Sequence, residues 1–168
     1  MSRSTWAWIS LGGNEGDGLQ AVARRLESAV AHLATLAAGP VVISPVYRTP
    51  PWGVTDQQDF LNQIAGFPTA RGPEALLAAL LEIEAAHGRV RRRRWGPRTL
   101  DLDLLMLGST LRDTAALTLP HPRLADRRFV LQPWADVAPE VQVPGHDRTV
   151  AALLAACPDG SALSPWSP

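Results

Sequence analysis

The stretch "RWGPRTLDLDLLML", Arg94–Leu107, sets two carboxylates, Asp101 and Asp103, into a run that is otherwise apolar from Leu100 onward. Side chains alternate faces along a strand. Leu100, Leu102 and Leu104 therefore share one face, and Asp101 and Asp103 share the other. A strand over Thr99–Leu107 is predicted, packed on helices through its leucines, with the two aspartate Cα atoms about 6.5–7 Å apart. That spacing suits a pair of hard cations about 3.5–4 Å apart, the arrangement of two-metal phosphoryl-transfer sites. Magnesium fits such a pair, because it takes a few carboxylates and completes its shell with phosphate and water oxygens. The solvated outer face of an antiparallel sheet also carries a bare D-x-D, so the pair alone leaves both readings open.

Upstream lies "GRVRRRRWGPR", Gly88–Arg98, with six arginines. Guanidinium groups bind phosphate through paired, charge-assisted hydrogen bonds. Cations for phosphate oxygens beside carboxylates for bridging metals make the two halves of a nucleoside-triphosphate site, and Trp95 adds a ring for stacking. Read alone, the run also fits a nucleic-acid patch, an interaction loop or a solvated turn.

The flanking sequence places this strand in a fold. "TWAWISLGG" (Thr5–Gly13) reads as a strand ending in a turn. Asp17 and Gln20 have capping-box spacing, and Leu19, Val22, Leu26, Val30, Leu33 and Ala37 follow at helical period, stopped by Gly39 and Pro40. "VVISPVYRT" (Val41–Thr49) reads as one strand with Pro45 marking an edge or bulge. A Pro/Gly-bearing loop, 50–59, leads to the strand "FLNQIAGFP" (Phe60–Pro68). Pro73 opens a second helix with Leu76, Leu77, Leu80 and Ile83 on its apolar face, and Gly88 ends it after His87. Beyond Pro120 a short helix is predicted near Leu124–Trp134 and another at Thr149–Ala156, with a loosely ordered tail over Gly160–Pro168. Strand, helix, strand, strand, helix, strand is the ferredoxin-like order. The predicted class is α+β, an antiparallel sheet with two helices packed on one face and a C-terminal extension, as one domain over residues 1–168.

All sixteen basic residues are arginine, and they balance sixteen acidic ones. Zero net charge argues against a general nucleic-acid binder, which usually carries a basic excess. The single Cys157 has no disulfide partner and no zinc-ligand partners. A reducing, cytoplasmic compartment is expected, with no signal peptide and no membrane span.

Two further segments carry chemistry. In "YRTPPWG" (Tyr47–Gly53) and "DFLN" (Asp59–Asn62), Phe60 and Asn62 share a strand face. A ring and an amide are what a flat, hydrogen-bonding heterocycle needs, though a core phenylalanine beside a strand-end asparagine looks the same. In "LPHPRLADRRFVLQPW" (Leu119–Trp134), His121, Arg123 and Arg127 are candidates for phosphate and Phe129 for stacking, while a histidine between prolines is also an ordinary structural residue.

Taken together, "SLGGNEGD", "YRTPP", "FLN", "GRVR", "RWGPRTLDLDLL", "LPHPR" and "FVLQP" resemble the 6-hydroxymethyl-7,8-dihydropterin pyrophosphokinase family, over nearly the whole chain up to about Val143. The resemblance implies a ferredoxin-like fold, ATP as co-substrate and two magnesium ions. It also implies transfer of pyrophosphate from ATP to the pterin hydroxymethyl group with release of AMP, in folate biosynthesis. By matching position, Asp101 and Asp103 correspond to the metal ligands, and with Arg91 and Arg92 they form the implied catalytic set. Thr49, Pro50, Trp52, Phe60, Asn62, Trp95 and Phe129 correspond to the pterin pocket. Glu84, Arg89, Arg91, Arg92, Arg98, His121 and Arg127 correspond to the ATP side. Trp52 stands where other members often have leucine. The expected partners are small molecules only, ATP and hydroxymethyl-dihydropterin, with no nucleic acid and no membrane, and the chain is expected to be a monomer.

A ferredoxin-like nucleic-acid module is the main rival, with arginines on phosphates and aromatics on bases. It leaves the aspartate pair unexplained, since two carboxylates repel a polyanion.

Overall fold

The computed structural model describes residues 3–51, 53–89 and 96–168. The alternation of Trp8, Ser10 and Gly12 against Ala7, Ile9 and Leu11 makes β1 (Thr5–Gly13) a two-faced central strand. It pairs antiparallel with β4 (Phe60–Thr69), from Thr5 opposite Thr69 to Gly13 opposite Leu61. On its other side it pairs antiparallel with β5 (Asp101–Leu107). β3 (Tyr47–Thr49) continues the sheet beyond β4, and β2 (Val42–Ile43) runs along the same edge of β4. The path β3–β4–β1–β5 is the ferredoxin-like order.

One face of the sheet is covered by α1 (Gly18–Ala34) and α2 (Pro73–Ala86). Ile9, Leu11, Leu26, Leu33, Leu76, Leu80, Leu102 and Leu104 form a single buried cluster there. The leucines flanking the carboxylates thus point where the alternation predicts. The helices are not confined to that face, however. α3 (Arg128–Val137) and α4 (Val150–Ala156) cover part of the opposite face through Trp134, Val130, Leu131 and Leu153, against Trp8, Ile64 and Leu105.

A β-bulge decides where this second cluster stops. Ile9 faces Leu104 but Trp8 faces Met106, so Leu105 is the extra residue on β5. Leu105 and Met106 both pack beside Trp8, and Leu107 returns to the first cluster. One face of β5 therefore carries carboxylates at its start and core residues at its end.

The Trp8 ring stacks on Trp6, at 5.7 Å between centroids, and tilts against Trp134 at 5.6 Å. It also lies over Gly66 of β4, where a Cβ would fall 2.4 Å from a ring carbon. Gly66→Ala is expected to destabilise the protein by about 1–3 kcal/mol, the usual cost of overpacking a tight core. Thermal melting checks this, and a melting temperature equal to the parent's would show that Trp8 moves aside freely.

Several elements differ from the sequence reading. Asp17 is the N-cap of α1 but its side chain makes no capping bond, so the Asp17–Gln20 box is not formed. α1 ends at Ala34, well before Gly39, with Thr35 donating its hydroxyl to the His32 carbonyl. Val41–Thr49 is not one strand. Ser44 turns inward, accepting from Ile64 N–H (2.8 Å) and receiving Gln63 Nε2 on its carbonyl (2.9 Å), and this splits the segment into β2 and β3 around Pro45. The helix expected near Leu124–Trp134 is a 3-10 turn (Leu124–Asp126) followed by α3. Hairpins at Arg112–Asp113/Thr118–Leu119 (β6, β7) and Gln142–Val143/Arg148–Thr149 (β8, β9) were not foreseen. The tail is also ordered. Ser164–Pro165 (β10) pairs with Arg48 and Tyr47 as an edge strand, Trp166 donates to the Val46 carbonyl (2.9 Å), and its ring packs on the core.

Candidate active site

At the end of the sheet that α3 leaves uncovered, the carboxylate face opens into a cleft. Ser10 and Gly12 of β1, Phe60 and Asn62 of β4, and Asp101 and Asp103 of β5 all line it. Thr49 and Pro50 close one side. Gly96, Arg98, Arg123, Asp126, Arg127 and Phe129 complete the wall. The period-two alternation of three adjacent strands thus brings every second residue into one place.

One part of the cleft is a ring-and-amide slot. Asn62 is buried and donates from Nδ2 to Thr49 Oγ1 at 2.8 Å. That bond fixes the amide orientation, so its carbonyl oxygen is presented in a set direction. Phe60 and Phe129 supply the ring faces.

The other part is ionic. Asp101 is held by Arg98, its closest charged partner, and by Arg89 Nη2 at 3.7 Å. Asp103 pairs with Arg127 Nη1 at 3.5 Å, and the Arg127 guanidinium stands 5.7 Å from the Phe129 ring centroid. Burial and then the charge of Asp101 push the Asp103 carboxyl up to about 6, against the pull of Arg127, Arg98 and Arg89. His121 is held down at about 4, mainly by burial and then by Arg127, with Asp101 opposing and Arg123 adding. Its Nδ1 accepts the Arg123 backbone N–H at 3.1 Å. Neutral His121 therefore carries its proton on Nε2 and is a hydrogen-bond donor there.

The structure gathers Thr49, Pro50, Phe60, Asn62, Arg98, Asp101, Asp103, Arg127 and Phe129 into the cleft. Arg89 reaches it through Asp101. His121 stands beside the ionic half without lining the wall. Glu84 lies behind β5, buried in α2, and its Oε1 accepts the Leu102 N–H at 2.8 Å. It therefore satisfies the outer edge of β5. Trp52, Arg91, Arg92 and Trp95 lie outside the described residues. Ser10, Gly12 and Asp126 were not singled out from sequence, although Ser10 and Gly12 share the Trp8 alternation that could have placed them. Arg123 was noted only in its motif. Among the described residues no group of three or more His, Cys, Asp or Glu stands ready for a metal, so the Asp101–Asp103 pair is the donor set on offer.

The raised Asp103 has a consequence for stability. The folded carboxyl binds its proton more tightly than the unfolded one, so ionising it costs stability as pH rises from about 4 through about 6. Asp103→Asn is expected to raise the melting temperature of the ligand-free protein above pH 6, roughly 2–4 °C for each kcal/mol relieved. The gain should shrink as pH falls to 4. A gain that grew on acidification would contradict this.

The fold and cleft define a class, an α+β domain with a ring-and-amide slot and an ionic half on one sheet face. The model of the 7,8-dihydro-6-hydroxymethylpterin-pyrophosphokinase (HPPK) family matches residues 8–139, and the chain belongs to that family. It is 45% identical over 152 residues to a 2-amino-4-hydroxy-6-hydroxymethyldihydropteridine pyrophosphokinase of Methylorubrum extorquens, covering 90% of this chain and 92% of the relative. A Pseudomonas aeruginosa protein of the same name is 48% identical over 118 residues, 70% of this chain and 72% of its own. Among solved structures, Plasmodium falciparum HPPK-DHPS with pteroate superposes with a TM-score of 0.69 at 13% identity. That match covers 93% of this chain but only 43% of the Plasmodium chain, and it speaks for the fold alone.

Proposed function

We propose that the chain transfers the pyrophosphoryl group of ATP to the hydroxymethyl group of 6-hydroxymethyl-7,8-dihydropterin and releases AMP, a step of folate biosynthesis. The observation that carries this reading is the sharing of one cleft by the Phe60–Asn62–Thr49 slot and the Asp101–Asp103 pair with its arginines. Phe60 and Phe129 stack the pterin, and Asn62 and Thr49 read its edge. The hydroxymethyl oxygen attacks the β-phosphorus. The bond from that phosphorus to the oxygen bridging to the α-phosphorus breaks, AMP leaves with that oxygen, and the hydroxyl proton goes to solvent. Arg98, Arg127 and Arg89, with the Nε2–H of His121, stabilise the charge on the phosphates. No residue among those described is placed as a strong general base, which suits chemistry run by positioning and electrostatics. Arg91 and Arg92 are proposed to add to the phosphate side, and Trp52 and Trp95 to the pterin side.

Two magnesium ions fit the donor set. Asp101 and Asp103 face one spot, and Asp103 is raised by burial first and by the charge of Asp101 second, both of which a divalent cation held between the carboxylates would offset. When bound there, they would neutralise phosphate charge and acidify the attacking hydroxyl. The whole chain is proposed to work as one domain and as a monomer in the cytoplasm, without nucleic acid or membrane partners. Its zero net charge speaks against a nucleic-acid partner, and among the described residues no helix is long and apolar enough to cross a membrane.

The test is an assay with ATP, magnesium and the hydroxymethyl-dihydropterin, resolving AMP from ADP. Pterin-dependent AMP is the expected product. Formation of ADP, or of AMP at the same rate without pterin, overturns the reading.

A further inference from the structure

Asn14 ends the "SLGGN" stretch and has no role in the reaction as described. It is 2% exposed, and its polar groups are used in a particular way. Its Nδ2 donates to Gln57 Oε1 (2.9 Å) and to the Gln58 carbonyl (2.8 Å). Its carbonyl accepts from Gln58 Nε2 (2.8 Å). On the other side its Oδ1 accepts the Arg98 N–H (2.9 Å), and its own N–H donates to the Arg98 carbonyl (2.9 Å). One residue therefore grips both peptide groups of Arg98 and two residues of the loop that runs into Phe60.

The surroundings reinforce the grip. Glu15 N–H also donates to the Arg98 carbonyl (3.1 Å). Arg25 Nη1 donates to the carbonyls of Glu15 (2.5 Å) and Thr99 (3.2 Å). Gly13 lies so close to the 98–99 backbone that a Cβ on it would fall 2.7 Å from the Thr99 carbonyl oxygen. Gln57 is fixed in turn, donating from Nε2 to the Val54 carbonyl (2.7 Å). A buried amide in this position is a rigid link, because breaking either side leaves a desolvated N–H or carbonyl without a partner.

We infer that Asn14 is a positioning residue that couples the two halves of the cleft, so that occupancy of the phosphate side at Arg98 sets the loop leading to Phe60, and the reverse. The inference rests on the proposed function for the identity of the two ligands. Arg98 meets the triphosphate through its side chain while Asn14 holds its main chain. A shift of Arg98 on binding is thus passed to Gln57 through the Asn14 side chain and to Gln58 through its side chain and main chain together. Coupling of this kind is reciprocal: each ligand strengthens the other by the same factor.

The test measures hydroxymethyl-dihydropterin binding with and without magnesium and α,β-methylene-ATP. In the parent the analogue is expected to tighten pterin binding at least about fivefold, the low end of site–site coupling. Asn14→Ala should cut that factor to about twofold or less and lower kcat about tenfold, with pterin affinity in the absence of analogue little changed. Asn14→Asp keeps the acceptor for Arg98 N–H but loses both donations to the loop, so it should lose coupling as well. Gln57→Ala attacks the link from the half-buried loop side, leaves the bonds of Asn14 to Gln58 and Arg98 in place, and should weaken coupling at a smaller loss of melting temperature than the Asn14 variants, which decides the matter even if those fold poorly. A parent enzyme that makes AMP but shows no coupling, or variants that keep the parent's factor, overturn the inference alone. A parent that makes no pterin-dependent AMP overturns the proposed function and the inference with it.

Discussion

Asp101→Asn and Asp103→Asn are each expected to lower turnover by about a thousandfold or more, the scale on which losing a principal metal ligand acts. The fold should survive, because both side chains face the cleft while Leu100, Leu102 and Leu104 hold the strand from the other face. The two variants should differ in the ligand-free protein. Asp103 is unfavourably ionised there, so its amide relieves strain. Asp101 is braced by Arg98 and Arg89, so its amide leaves two guanidinium groups less well neutralised. Asp103→Asn should therefore melt higher than Asp101→Asn at neutral pH, while both are nearly inactive. Steady-state assays at saturating magnesium, beside melting curves, check both statements. Near-normal kcat in both variants would remove the carboxylate pair from the mechanism.

What could be read from sequence follows from how local each signal is. The face of the two aspartates is a consequence of strand alternation over five residues, and it holds without knowledge of any neighbour. The same logic puts Phe60 and Asn62 together. The bulge at Leu105 was not legible, because Leu104, Leu105 and Met106 are all apolar and any of them could have been the extra residue. The splitting of Val41–Thr49 depends on Ser44 reaching β4, a partner twenty residues away. The tail reads as Gly-, Ser- and Pro-rich, a composition of loose ends, yet Trp166 packs on a core that the tail's own sequence does not reveal. α3 and α4 were expected as helices, but nothing local says that they cover the second face and leave its far end open.

In the site, residue types were legible and states were not. That His121 is neutral, and that Glu84 caps the edge of β5, depend on neighbours distant in the chain. Asn14 lay in a motif marked by family resemblance, but its five hydrogen bonds to Gln57, Gln58 and Arg98 are long-range and left no local trace.

Arg98→Ala is expected to lower kcat by about a hundredfold, the low end of what removing one preorganised donor to a developing anion costs. Among the described arginines it alone is both fixed through its main chain by Asn14 and paired through its side chain with Asp101. In the ligand-free protein the guanidinium is occupied by that carboxylate. On the proposed reading Asp101 would help to hold magnesium when it binds with the triphosphate, and the fork would then be released to phosphate oxygens. The fork therefore meets phosphate already in the bound complex, where a shift of Arg98 reaches Asn14, and its bonds tighten further on the developing charge, so kcat should fall, and kcat/KM with it, while the KM for ATP rises by a smaller factor. Arg98→Lys should recover only part of the loss, since a single ammonium cannot offer two parallel N–H donors. Arg112→Ala is the control. Its partner Glu74 is an exposed helix residue at 2.9 Å, well away from the cleft, and losing that surface pair should leave kcat and melting unchanged. A rise in KM for ATP with kcat intact in Arg98→Ala would place Arg98 in substrate capture instead, and it would break the link between its fixed backbone and the chemical step.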